Sequence, residues 1–171
     1  AFSGLVHTLA NSEARHRAVI QSMQDAHVVA DADRRILAFN PAAERIFGYA
    51  ASEVIGAPVS RLLPEASREN HARQYAQYEA GGGRNVVNQV RELHARRKSG
   101  EVFSIDMMLS AFKVDGEQLF SAVIRDISSR KAMEQQLLRA QKLEAVGQLA
   151  AGIAHEINTP TQYVGDNIRF L

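Results

Sequence analysis

His155 is followed directly by Glu156 and, one helical turn on, by Thr159, in a stretch from Gln148 to Pro160 otherwise written as helix. An imidazole beside a carboxylate can do nucleophilic chemistry, because the acid orients the ring and leaves one nitrogen with a free lone pair. The apolar residues Leu143, Val146, Ala150, Ile153 and Ile157 recur at steps of three and four, the pattern of a helix that packs on other helices. With Ala150 at position a of a heptad, Ile153 takes d, Ile157 the next a, and His155 falls at f, which faces away from the seam. A structural histidine would sit at or beside that seam. Pro160 removes the amide that would bond the Glu156 carbonyl, so the backbone is expected to loosen just beyond His155. Thr159 shares the histidine's face. On these residues alone, an exposed helical histidine without a role remains the alternative.

The string from His155 to Pro160, His-Glu-Ile-Asn-Thr-Pro, is preceded from Lys142 to Ala154 by Lys-Leu-Glu-Ala-Val-Gly-Gln-Leu-Ala-Ala-Gly-Ile-Ala. Together they resemble the phospho-acceptor box of bacterial two-component sensor histidine kinases. The resemblance implies that His155 accepts the γ-phosphoryl group of ATP and passes it to an aspartate on a response-regulator receiver domain. It implies Glu156 as general base, and Thr159 as the residue that positions water when the regulator's phospho-aspartate is hydrolysed.

The elements that must position this histidine lie upstream. The chain has 171 residues, of which 46% are apolar and 23% charged, enough for one ordinary domain with a core and an extension. Lysine and arginine number 20 against 19 acidic residues, so charge gives no reason to expect a nucleic-acid partner. There is no cysteine, which excludes disulfides, thiolate metal sites and cysteinyl flavin photochemistry. No metal-ligand spacing is present among the histidines. The uncharged run from Ala1 to Ser12 is too short to span a bilayer and lacks the basic start of a signal peptide. A cytoplasmic location is expected, and the start on Ala1 reads as an excerpt of a longer protein.

Along the chain, Glu13 to Gln24 reads as an amphipathic helix capped by Ser12 that buries Val19, Ile20 and Met23. His27–Ala30 and Ile36–Phe39 read as strands about a turn at Asp31-Ala32-Asp33. Asn40-Pro41 opens a helix that Gly48 ends, and Ser52 starts a short one closed by Gly56. A further turn at Arg61–Leu63 precedes a longer helix from Pro64 to about Ala80. From Val86 the period becomes two. Strands are expected over Val86–Arg97, Val102–Phe112 and Leu119–Ile127, joined at Ser99-Gly100 and Asp115-Gly116. This order predicts an α+β domain with a five-stranded antiparallel sheet and flanking short helices. Arg96-Arg97-Lys98 reads as a solvated turn.

Several strings resemble those of PAS sensory domains: Val28-Val29-Ala30-Asp31, Phe39-Asn40-Pro41-Ala42-Ala43-Glu44, Ile46-Phe47-Gly48-Tyr49, Glu53-Val54-Ile55-Gly56, and Arg96 to Gly100. Asp126-Ile127-Ser128 resembles the Asp-Ile-Thr with which such domains end before a signalling helix, which implies a part for these three residues in passing the signal on. The PAS fold is therefore expected, with a ligand cavity between helices and sheet. In the haem-binding PAS domains of oxygen-sensor kinases, a string similar to Pro64-Glu65 with Arg68 and His71 supplies the proximal iron ligand. An arginine comparable to Arg91 there meets bound oxygen. The same resemblance is incomplete at Asn88-Gln89-Val90, where small glycines would make room for a porphyrin. Haem, a non-covalent flavin, a small metabolite or no ligand all stay open.

After Ser128 a helix of roughly thirty residues, about 45 Å long, is expected to run to Thr159-Pro160 as the start of a coiled coil. Met133, Leu137 and Ala140 set one heptad phase; Leu143 and Val146 continue one residue early, as a three-residue stammer leaves it. The chain thus divides into an N-terminal helix (1–24), a PAS domain (25–128), a signalling-helix linker (129–142) and part of a dimerisation and phosphotransfer domain (143–171). A homodimer is expected. The chain lacks nucleotide-binding boxes, so the parent's own catalytic domain is expected to bind ATP, and this segment alone to accept phosphate without kinase activity.

Overall fold

A computed structural model of the chain describes residues 14–15, 18–80 and 87–168, with side chains to residue 150 apart from residue 79. Contacts divide it into two units, Ala1–Ser128 and Ser129–Leu171. The first unit holds a five-stranded antiparallel sheet in the order β2-β1-β5-β4-β3, with β1 Ala26–Asp31, β2 Ile36–Phe39, β3 Val90–Arg96, β4 Val102–Val114 and β5 Glu117–Asp126. Between β2 and β3 lie α1 (Pro41–Phe47), α2 (Ala51–Val54), a 3-10 turn (Val59–Leu62) and α3 (Glu65–Glu79).

The turns form where special backbone is supplied. Asp115 and Gly116 both take positive φ (50° and 87°), the two-residue hairpin geometry that matches the twist of β4 and β5. Asn40 is buried and saturated. Its Oδ1 accepts from the Ala43 amide that it caps and from His27 N, both at 2.9 Å, while Nδ2 donates to the Ile20 and Asp25 carbonyls at 3.2 Å. Gly48 ends α1 with φ 76°, as expected of a left-handed cap. The core gathers on Phe47, fully buried, with Phe39 at 6.0 Å and Phe103 edge-on at 5.7 Å between ring centroids.

Several expectations are corrected. Val19 and Ile20 are 59% and 38% exposed, so the described residues of the N-terminal helix do not bury them in this chain. β1 gains a residue at each end because β5 pairs with it from Ala26 to Asp31. The short second helix is capped from Ala50, whose amide the Glu53 side chain accepts at 2.8 Å, and not from Ser52. β3 begins at Val90; Val86 and the Gly81–Gly83 stop lie outside the described residues, as does Ser12.

The second unit continues a single helix, α4, over Ser128–Ile168. At 41 residues it is about 60 Å long, and it passes through Pro160, where a break was expected. A proline in a helix deletes one hydrogen bond but leaves those on either side intact. Met133, Leu137, Leu143 and Val146 are 68%, 60%, 73% and 58% exposed, so the anticipated seam stands open in the single chain. No described helix is long and apolar enough to cross a membrane.

Candidate functional site

The α3 helix and the inner face of the sheet enclose a cavity of about 160 Å³. His71, Gln74, Tyr75 and Tyr78 sit at i, i+3, i+4 and i+7 on α3 and all line it. Period-two alternation supplies the opposite wall, with Ala30, Leu93, Met107, Phe120 and Ala122 turned inward. Tyr75 and Tyr78 each meet the Phe120 ring edge-on at 5.4 Å, and the Tyr75 hydroxyl donates to the Ala32 carbonyl, which fastens α3 over the β1–β2 turn.

The structure brings His71 and Arg91 onto one cavity, as the sequence pairing requires. His71 is half-buried; burial pushes its imidazole below the usual range, and the charge of Arg34 pushes the same way, so the ring is neutral at neutral pH. Arg91 Nη1 donates to Gln74 Oε1 at 3.4 Å. Arg34 was missed in the sequence. It sits in the β1–β2 turn with φ 63°, and its guanidinium lies over the Tyr75 ring at 5.1 Å.

The second constellation surrounds the end of β5. Asp126 Oδ2 accepts from Arg97 Nη2 at 2.6 Å, and Asp126 Oδ1 accepts from Ser128 N at 2.9 Å at the start of α4. Ile127 is buried, with its amide on the Ser104 carbonyl at 3.1 Å. Burial works to raise the Asp126 carboxyl, but hydrogen bonds from Arg97 and Ser128 outweigh it and hold it below the usual carboxylate range. Arg97 also donates to the Ile46 carbonyl at the end of α1, bonds Glu101 at 3.1 Å and lies 3.7 Å from the Phe103 ring centroid. Lys98 pairs with Glu53 at 2.6 Å. The basic run is therefore built into the domain and is not a merely solvated turn. Its signal in the sequence was a cluster of cations next to a strand end, which periodicity does not pair with partners.

His155, Glu156 and Thr159 lie on the backbone of α4, which preserves their one-turn spacing; their side chains lie outside the described residues. Among the described residues no three His, Cys, Asp or Glu side chains group as a metal site.

A family profile described as PAS fold matches residues 14–127. The Sensor protein FixL of Bradyrhizobium diazoefficiens is 26% identical over 94% of this chain and 33% of its own length. The Sensor histidine kinase TmoS of Ectopseudomonas mendocina is 29% identical over 93% of this chain and 17% of its own. The Oxygen sensor protein DosP of Escherichia coli is 32% identical over 70% and 15%. The chain thus spans a third or less of these relatives. Among solved structures, the PAS domain of an HTR-like protein from Haloarcula marismortui superposes with a TM-score of 0.60 at 25% identity, over 73% of this chain and 99% of its own.

Proposed function

This chain belongs to the PAS fold family, and on that premise we propose that it is the sensory and phospho-acceptor segment of a two-component sensor histidine kinase. The PAS cavity takes the signal, and Asp126, Ile127 and Ser128 pass it to α4. His155 accepts phosphate from ATP held by the parent's catalytic domain and yields it to a receiver-domain aspartate. Glu156 draws the proton from His155 during attack, and Thr159 positions the water that later hydrolyses the regulator's phospho-aspartate. Two copies pair along the α4 seam, because the apolar surface of Met133, Leu137, Leu143 and Val146 is worth about 25 cal/mol per Å² when removed from water.

The observation that carries the reading is α4 itself. One unbroken helix leaves the Asp126–Ser128 junction and continues through the residues of the phospho-acceptor string. Relatives named as sensor histidine kinases align over nearly the whole chain, which supports it further. The test supplies ATP and a separate catalytic domain. Phosphate is expected on His155 alone, labile to acid and stable to base, and His155→Gln is expected to abolish it. Undiminished labelling of that variant overturns the assignment.

A second reading, a haem-based gas sensor, is favoured by His71 and Arg91 sharing one cavity. The donors suit it, a neutral imidazole for iron and a guanidinium for a bound diatomic ligand. The room does not: about 160 Å³ falls below the roughly 300 Å³ at which pockets for drug-sized ligands begin. The visible absorption of the purified protein tests this second reading: a porphyrin spectrum supports it and its absence refutes it.

A further inference from the structure

We propose that the PAS cavity binds a small carboxylate ligand, an apolar body about the size of one aromatic ring carrying a single anionic head that one of the two lining guanidiniums, Arg34 or Arg91, receives. The inference rests on the sensory reading above and names the chemical class of the signal.

Size and lining fix the body. An apolar cavity of about 150 Å³ holds one benzene ring, and this one, partly open to solvent, is about 160 Å³ with mostly aliphatic and aromatic walls. Charge fixes the head. Two half-buried guanidiniums line the cavity, yet neither Arg34 nor Arg91 has a carboxylate at ion-pair distance among the described residues. Arg34 rests on the Tyr75 ring, and Arg91 reaches only the long bond to Gln74. The described lining has one acid, Asp31, whose Oδ1 accepts from Arg35 N at 2.8 Å. A guanidinium taken partly out of water is costly without an anion, and its fork of donors matches a carboxylate. Elsewhere in the domain the partly buried Arg97 does have its carboxylate, Asp126. Among the described residues the two cavity guanidiniums have no such partner.

Arg34 stacks on Tyr75, and Arg91 bonds Gln74, both on α3. A carboxylate held by either guanidinium would sit against α3. It would also counter the charge of Arg34 at His71, so the His71 titration is expected to move upward when the site fills.

The experiment measures binding of benzoate, benzamide and benzene to the whole 171-residue chain by calorimetry and by methyl NMR of Met107 and Ala122. Benzoate is expected to bind at least tenfold more tightly than benzamide and to raise the His71 midpoint, whereas benzamide leaves that midpoint in place. One of Arg34→Gln and Arg91→Gln is expected to weaken benzoate about 10- to 100-fold, with benzamide unaffected, and unchanged benzoate affinity in both variants overturns the proposal. Equal affinity for benzoate and benzamide overturns the proposal without any variant. Binding of benzene but not benzoate overturns it while leaving the cavity as a sensory site. If none of the three binds, both fall. A porphyrin in the purified protein also overturns it.

Discussion

Replacing Arg97 by methionine keeps an unbranched stem beside Phe103 and removes the guanidinium that holds Asp126. The two side chains are 21% and 26% exposed, so their 2.6 Å contact is neither a surface pair nor a deeply buried one. At an effective dielectric of about 20, unit charges about 4 Å apart attract by about 4 kcal/mol, and desolvation offsets part of this. A net contribution of about 2 kcal/mol is what hydrogen bonds to charged groups typically give. Arg97→Met also strands the Ile46 carbonyl, so its expected cost is about 3 kcal/mol. Asp126→Asn keeps an acceptor for Ser128 N and is expected to cost about 2 kcal/mol. If the pair is coupled as the geometry indicates, the double variant costs about 3 kcal/mol and not the additive sum of about 5. Urea unfolding followed by the tyrosine near-ultraviolet signal measures all four proteins. A coupling energy under about 0.5 kcal/mol refutes the reasoning. Linkage supplies a second arm. The carboxyl of Asp126 is held low in the fold, so its contribution is present above the ordinary aspartate pKa, near 3.8, and is lost as pH falls through the depressed folded value. The gap between wild type and Asp126→Asn should narrow in that acid window; a gap independent of pH counts against the pair.

Asn40→Ala removes four hydrogen bonds from one buried side chain and is expected to destabilise the domain by about 2–3 kcal/mol, with faster proteolysis before Asp25 as the sign that the N-terminal segment has come loose. Insertions between Ser129 and Met133 in the complete kinase test the helix as a conveyor. One added residue turns everything downstream by about 100°, seven restore the face, and output should follow length with a period near seven; a smooth decline with length rules rotation out.

The local punctuation of the fold was legible because each signal acts within a few residues. Ile36–Phe39, the Asn40-Pro41 opening, the Gly48 stop and the Asp115-Gly116 turn follow from backbone preference alone. What escaped was long-range. Arg97 reaches Ile46 and Asp126 across 51 and 29 residues, and period-two alternation says which face a side chain takes but not which distant carbonyl receives it. Arg34 escaped for the same reason, since a turn residue with positive φ gives no hint that its side chain lies over Tyr75. His71 and Arg91 were found by resemblance, and the structure supplies the shared cavity. Val19 and Ile20 show the converse limit: an apolar period marks a face for burial without saying that the same chain covers it.

The cavity and the start of α4 meet in one side chain. Phe47 lines the cavity and packs on Phe103, over whose ring Arg97 lies. Its own carbonyl accepts from Lys98 N at 2.8 Å, and the preceding carbonyl, Ile46, accepts from Arg97. A ligand that displaces Phe47 therefore shifts both anchors of the β3–β4 turn at once. A close-packed core answers such a shift by adopting another packing, since it cannot deform continuously. In the proposed relay Asp126 is the point where that choice reaches the helix, since one of its oxygens is held by Arg97 and the other caps Ser128 N. On the proposed reading, the contact worth about 2 kcal/mol sets the scale of the switch: a ligand that binds the two packings with a tenfold difference in affinity shifts their balance by about 1.4 kcal/mol, a comparable amount. A much stronger clamp would hold α4 in one state whatever the cavity contained, and a much weaker one would leave its start unconnected to the cavity.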